Sequence, residues 1–252
     1  MEDPVEDGAC KVVFKNAIFK PVFDNDLVVF KVVREAKHDR LIIHTRAVQN
    51  QFFASVAATE FNSLVDKKYR LSFFNSAVVE LLPESIDLLH PDHSHPLQKM
   101  LAQGAIWVVE RQIRSTKFKK VISNTGNIVG VNDYTTNIAK NDREIATAFA
   151  HWSWASSQGR VMFLDIQGFA GQFVDVETIT ASQSEHLFAE GNLGEPSIEH
   201  YFQEHECNFL CHRLGIDKSR PGRFLSSLTH SSSKISIGTV HNFTGLELSS
   251  LL

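Results

Sequence analysis

Toward the end of the chain, His205-x-Cys207-x-x-x-Cys211 places an imidazole and two thiols within seven residues. Thiolate sulfur and imidazole nitrogen are the donors of tetrahedral zinc, and a helix would carry Cys207 and Cys211 on one face, one turn apart. Such a site needs a fourth donor, and the chain has twelve histidines to draw on. On spacing alone His200 is a candidate, because positions 200, 207 and 211 share a helical face from which 205 departs unless the helix is distorted. The rival reading is two buried free cysteines on an apolar helix face, since free cysteine is among the most buried residues. With Cys10 the total is three cysteines, too few for a disulfide framework, so the pair suggests metal rather than disulfide.

The chain has 252 residues, 43% of them hydrophobic, enough for the core of one large domain or two small lobes. Its formal charge of −4 supplies no global positive field to hold a polyanion, so nucleic acid is not an expected partner. Apolar runs such as Leu27–Phe30 and Val161–Leu164 are far shorter than the roughly 20 residues of a membrane helix. The opening Met-Glu-Asp-Pro has no basic leader character. The expectation is a soluble, cytoplasmic protein with no membrane partner.

Runs rich in β-branched and aromatic residues predict strands at Lys11–Phe14 and Leu27–Val33, with Asp24-Asn25-Asp26 as a turn between them. Val48–Val65 places Val48, Phe52, Val56, Ala57 and Phe61 at helical spacing without Gly or Pro. Leu71–Leu82 and Ala105–Ile113 read as strands on either side of the polar loop His90–Pro96. A helix over Arg143–Ala155 should stop at Ser156–Gly159, followed by a buried strand over Arg160–Asp165. Gly191-Asn192-Leu193-Gly194 reads as a flexible loop, Ser197–Leu214 as one helix closed by Gly215, and residues 216–252 as a Ser-rich tail, poorly ordered or docked in part.

Three further groups carry chemistry. The apolar strand ending in Asp165-Ile166-Gln167-Gly168, with Asp175 ten residues on, offers oxygen donors for Mg²⁺, although two aspartates near a glycine are more often a turn and a cap. Lys31, within Leu-Val-Val-Phe-Lys-Val-Val, is either an edge-strand residue reaching solvent or a cation held for a phosphate. Gly8-Ala9-Cys10-Lys11 precedes a strand and could turn over a ligand.

In their order as well as their content these motifs resemble the alpha-kinase family of atypical serine/threonine protein kinases, the group of myosin heavy chain kinases and elongation factor 2 kinase. Gly8-Ala9-Cys10-Lys11 stands where the family has Gly-Ala-x-Arg, and Lys31 where it has the ATP-contacting lysine. Gln49–Asn62 matches its Gln…Ala…Phe-Asn helix, and Val108-Val109-Glu110 its adenine-contacting linker. Phe149-Ala150-His151-Trp152, Asp165-Ile166-Gln167-Gly168, Gly191-Asn192-Leu193-Gly194 and His205–Cys211 complete the series. Conventional kinase signatures, His-Arg-Asp and Asp-Phe-Gly, are absent.

The resemblance implies an α+β, two-lobed atypical kinase fold over 7–215, with a β-rich N-lobe (about 7–109), a zinc-stabilised C-lobe (about 110–215) and ATP between them. It implies zinc on His151, His205, Cys207 and Cys211, and catalytic roles for Asp165 and Asp175. Magnesium falls on Asp165 and Gln167, nucleotide contacts on Gly8, Ala9, Lys11, Lys31, Glu110 and Gln167, and a peptide-side loop on Gly191, Asn192 and Gly194. The implied activity is transfer of the ATP γ-phosphoryl group to Ser or Thr of a protein substrate. The chain departs from the family pattern at Val176-Glu177-Thr178-Ile179, where Pro and an Ile-His segment are usual, at Ala189 in place of glycine, and at Lys11 in place of arginine. These departures motivate the rival reading of a zinc-stabilised pseudokinase or nucleotide-binding scaffold.

Overall fold

The computed structural model describes residues 6–7, 11–18, 27–33, 40–80, 106–129, 137–181, 188 and 191–217. The Gly8-Ala9 turn, the His90–Pro96 loop and the tail from residue 218 lie outside these residues.

Strands β1 (Glu6–Asp7), β2 (Lys11–Ile18) and β3 (Leu27–Val33) form an antiparallel ladder, with a register irregularity in β2 between Phe14 and Ala17. Helix α1 (Arg40–Leu64) follows, then β4 (Ser72–Phe73), β5 (Ser76–Glu80) and β6 (Ile106–Arg111). The first sheet has the order β1-β2-β3-β6-β5. Val28, Phe30 and Val32 alternate along β3 into one buried face of it. Antiparallel pairing sets Lys31 opposite Val108 and Val29 opposite Glu110. Lys31 and Glu110 are thereby diagonal neighbours on the other face.

α1 begins eight residues before the expected Val48. No Gly or Pro interrupts that stretch, and the exposed Leu41 and Ile42 blur the apolar spacing that would have marked its start. Its end is fastened by Asn62, whose amide donates to the Leu71 carbonyl at 2.7 Å and accepts from the Leu71 N–H at 2.9 Å. The expected single strand Leu71–Leu82 is two strands in different sheets. β4 leaves the first sheet to pair in parallel with a later strand, and Phe73 is buried there against Phe149.

The second half holds β7 (Lys119–Lys120), α2 (Asn137–Ser156), β8 (Val161–Leu164), β9 (Gln167–Phe169), β10 (Gln172–Val174) and β11 (Glu177–Thr180). One sheet has the order β4-β10-β9-β7, and β8 pairs antiparallel with β11. α2 ends where Gln158 and Gly159 adopt left-handed backbone at φ 56° and 79°. An aromatic cluster of Phe61, Phe73, Phe149, Trp152, Phe163 and Phe173 joins α1, α2 and the sheets into one core.

The expected helix Ser197–Leu214 is broken into α3 (Glu195–Glu204) and α4 (Phe209–Arg213). Asn208 makes the break. In extended backbone it accepts from the N–H groups of Leu210 and Cys211, so a new helix starts there rather than the old one continuing. Among the described residues no helix is long and apolar enough to cross a membrane.

Candidate active site

The two aspartates singled out by sequence sit at strand ends in strained backbone. Asp165 follows β8 with φ 55°, and Asp175 follows β10 with φ 60°. A non-glycine residue in this region costs about 1–2 kcal/mol, a cost that surrounding contacts must overcome.

Those contacts converge on a lysine. Lys31 Nζ lies 2.6 Å from Glu110 Oε1 and 2.7 Å from Asp175 Oδ1, and the lysine is only 5% exposed. Burial by itself disfavours the ammonium, but the charges and hydrogen bonds of Asp175 and Glu110 outweigh it, and its pKa is raised. Lys31 is therefore a buried cation and not an edge residue reaching solvent. Gln167 Nε2 donates to Asp175 Oδ2 at 2.6 Å, which leaves the Gln167 amide oxygen as the donor it could offer a metal. The carboxylate of Glu110, expected at a nucleobase-contacting linker, is spent on Lys31, and Glu110 itself lies within β6.

Lys120 escaped the sequence reading. β7 pairs with β9 so that Lys120 stands opposite Gln167, and its Nζ reaches Asp165 Oδ1 at 2.6 Å. Asp142 was likewise missed. From α2 it accepts the N–H of Ala170 at 2.8 Å and of Gly171 at 2.7 Å, closing the β9–β10 turn in which both residues have positive φ. That hairpin holds Gln167 on one strand and leads into Asp175 from the other. No local pattern marks either residue, because their partners lie 28 to 45 positions away.

An open cleft of about 620 Å³ is lined by Val29, Lys31, Glu110, Gln167, Val174 and Asp175, and by the segment following β6 from Arg111. Its lining mixes apolar side chains such as Val29 and Val174 with the charged Lys31, Glu110 and Asp175. Lys11 lies in β2 with its backbone opposite Val33.

Gly194 opens α3 with φ 75°, and Asn192 is buried, accepting from the Thr180 N–H at 3.0 Å and donating to Thr180 Oγ1 at 2.8 Å. The expected loop is thus tied to β11.

His151, His205, Cys207 and Cys211 come together although one is more than fifty residues from the rest, with all four ligand atoms within 4.8 Å of one another. His151 Nδ1 is 3.2 Å from His205 Nε2 and 3.7 Å from Cys207 Sγ, and Cys211 Sγ is 3.4 Å from His205 Nε2. Tetrahedral zinc with bonds of about 2.0–2.3 Å requires donor separations of about 3.3–3.8 Å; these three separations lie at or near that range, and the donor chemistry of two imidazoles and two thiols suits that ion. Burial pushes the Cys211 thiol up to about 12, with Cys207 adding to the push, so thiolates here call for a cation. The helix break resolves the facing problem in the sequence, since His205 caps α3 in extended backbone. His200 stays outside, its Nε2 3.2 Å from Glu204 Oε1 on the surface.

A model of the alpha-kinase family matches residues 6–211. Alpha-protein kinase 1 of Dictyostelium discoideum is 25% identical over 218 residues, covering 86% of this chain and 14% of that protein. Myosin heavy chain kinase B of the same organism is 26% identical, covering 69% of this chain and 20% of its own length. The chain thus spans a fifth or less of these relatives. The crystal structure of the alpha-kinase domain of myosin heavy chain kinase A complexed with AMP has a TM-score of 0.65 at 22% identity, covering 86% of this chain and 89% of that one. The same domain complexed with AMP-PNP gives 0.65 at 21%, with 86% of each chain covered. The α+β fold is theirs, the family's sequence pattern runs through most of the chain, and this chain belongs to the alpha-kinase family.

Proposed function

We propose that the chain is an atypical protein kinase domain that transfers the γ-phosphoryl group of ATP to Ser or Thr of a protein. The observation that carries this reading is Lys31, a buried ammonium held by Glu110 and Asp175 at the wall of an open cleft. Phosphoryl transfer asks mainly for positioning and charge neutralisation. Lys31 would exchange part of its carboxylate contact for a phosphate oxygen of ATP. Asp165, Asp175 and Gln167 supply the oxygen donors for magnesium, which when bound neutralises charge on the phosphates. The aspartates also supply the acceptor for the hydroxyl proton, and Lys120 keeps a second cation beside Asp165.

Glu110 serves the nucleotide by holding Lys31, and the Gly8-Ala9-Lys11 segment adds contacts of its own. In this reading the Gly191–Gly194 loop borders the peptide cleft, and zinc on His151, His205, Cys207 and Cys211 ties α2 to α3 and α4. The N-lobe runs to about 109 and the C-lobe to about 215. The formal charge of −4 favours a protein over a nucleic acid as partner.

The test is transfer of labelled γ-phosphate from Mg-ATP to a generic basic protein, with Asp165→Ala and Asp175→Ala alongside. Transfer lost in both variants is the expected result. Nucleotide binding without transfer by the unmodified chain would overturn the kinase reading in favour of a nucleotide-binding scaffold.

A further inference from the structure

We propose that Glu177 is a positioning residue that braces the Gly191–Gly194 loop against α1 and thereby sets how tightly the protein substrate is held. The inference rests on the kinase reading of that loop. Glu177 opens β11 opposite Leu164, the residue before Asp165, and lies two positions after Asp175. It falls in the stretch where the sequence departs from the family pattern.

Its carboxylate is held from α1. Asn50, fully buried, donates its Nδ2 to Glu177 Oε2 at 2.6 Å, while Asn50 Oδ1 has no partner among the described residues. The next residue, Gln51, donates to the Phe74 carbonyl at 2.7 Å and anchors the same helix turn. On its other side the Glu177 side chain occupies the space that a Cβ at Gly191 would take. That Cβ would lie 2.5 Å from Cδ and 2.8 Å from Cγ and Oε1, distances that a real Cβ essentially never shows.

The φ of Gly191 lies outside the left-handed region. Space rather than backbone conformation therefore excludes a side chain there. A free glutamate would swing aside for a methyl group, but this one would have to abandon Asn50 and leave a buried amide unsatisfied at both ends. β11 thus holds the loop at both ends of the strand, Glu177 packing on Gly191 and Thr180 bonding Asn192. A loop set in this way presents a fixed edge to a bound peptide.

The experiment compares the full chain with Gly191→Ala, Glu177→Ala, Glu177→Gln and the double variant Glu177→Ala/Gly191→Ala. The thermal midpoint, the affinity for a fluorescent ATP analogue and the KM for a basic protein acceptor are measured for each. Gly191→Ala is expected to raise the acceptor KM about tenfold, with nucleotide affinity within about twofold. In the Glu177→Ala background the three atoms nearest that methyl group are gone, so it should add no further change in KM or midpoint. Glu177→Gln keeps an acceptor for Asn50 and should behave as the unmodified chain. An equal penalty for Gly191→Ala in both backgrounds, or no penalty in either, overturns the brace. Should Gly191→Ala fail to fold, recovery of folded protein in the double variant supports the brace, and no recovery overturns it. Should the chain transfer no phosphate, the kinase reading fails while the midpoints still decide whether Glu177 and Gly191 are coupled.

Discussion

Replacing Asp142 by asparagine tests how α2 holds the β9–β10 hairpin. Its two carboxylate oxygens accept one N–H each, from Ala170 at 2.8 Å and Gly171 at 2.7 Å, and the residue is 3% exposed. Asparagine keeps one acceptor and turns an NH₂ group toward the other N–H. Losing a hydrogen bond to a charged acceptor costs about 1.5–3 kcal/mol, and an orphaned buried N–H about 1–3 kcal/mol. Against this, burial holds the Asp142 carboxyl above the usual carboxylate range, although the two backbone donors pull it back, so removing the charge relieves part of a desolvation cost. The net expectation is a loss of about 2 kcal/mol, or about 4–8 °C in midpoint for a chain of this size. Because the folded pKa lies above the unfolded one, this group's titration favours folding most below the unfolded value and loses that contribution as pH rises through the folded value. The gap between the unmodified protein and the Asp142→Asn variant should therefore widen as pH falls from 7 toward the ordinary aspartate value of about 4. Thermal unfolding followed by tryptophan fluorescence across that range measures it. Equal midpoints would refute the claim that Asp142 holds this turn, and a gap that narrows in acid would refute the raised pKa of its carboxyl.

Lys31→Met should abolish measurable binding of a fluorescent ATP analogue and cost about 3 kcal/mol of stability, because Glu110 is left as a buried, uncompensated charge. Adding Glu110→Gln should recover much of the stability and none of the binding; if binding survives Lys31→Met, the lysine has no part in holding nucleotide. Cys211→Ser should lower zinc content, read by atomic absorption, together with the thermal midpoint, and unchanged metal content would sink the four-residue assignment.

Strand β8 just before Asp165 and strand β3 carrying Lys31 were legible from apolar runs bounded by turn formers, because period and local propensity act within a few residues. The two-sheet split of residues 72–80 was not, since a continuous β-prone run says nothing about which neighbour each half will pair with. The helix break before Asn208 was hidden for a related reason. Asparagine caps a helix only where tertiary packing opens one, and here its Nδ2 also reaches the Glu144 carbonyl of α2 at 2.8 Å. His151 was assigned to the metal cluster from family likeness, while spacing alone still admitted His200.

By itself the sequence determined the chemical inventory: thiols and imidazoles for a soft cation, carboxylates at a strand end, a lysine in an apolar strand, glycines beside an asparagine. Only the tertiary structure decided the pairings, Lys31 with Glu110 and Asp175, Lys120 with Asp165, Asp142 with the hairpin turn, and Glu177 with Gly191. Such contacts join residues tens of positions apart, and their energies depend on burial and on distances of a few ångströms, which arise only once the strands have chosen their neighbours.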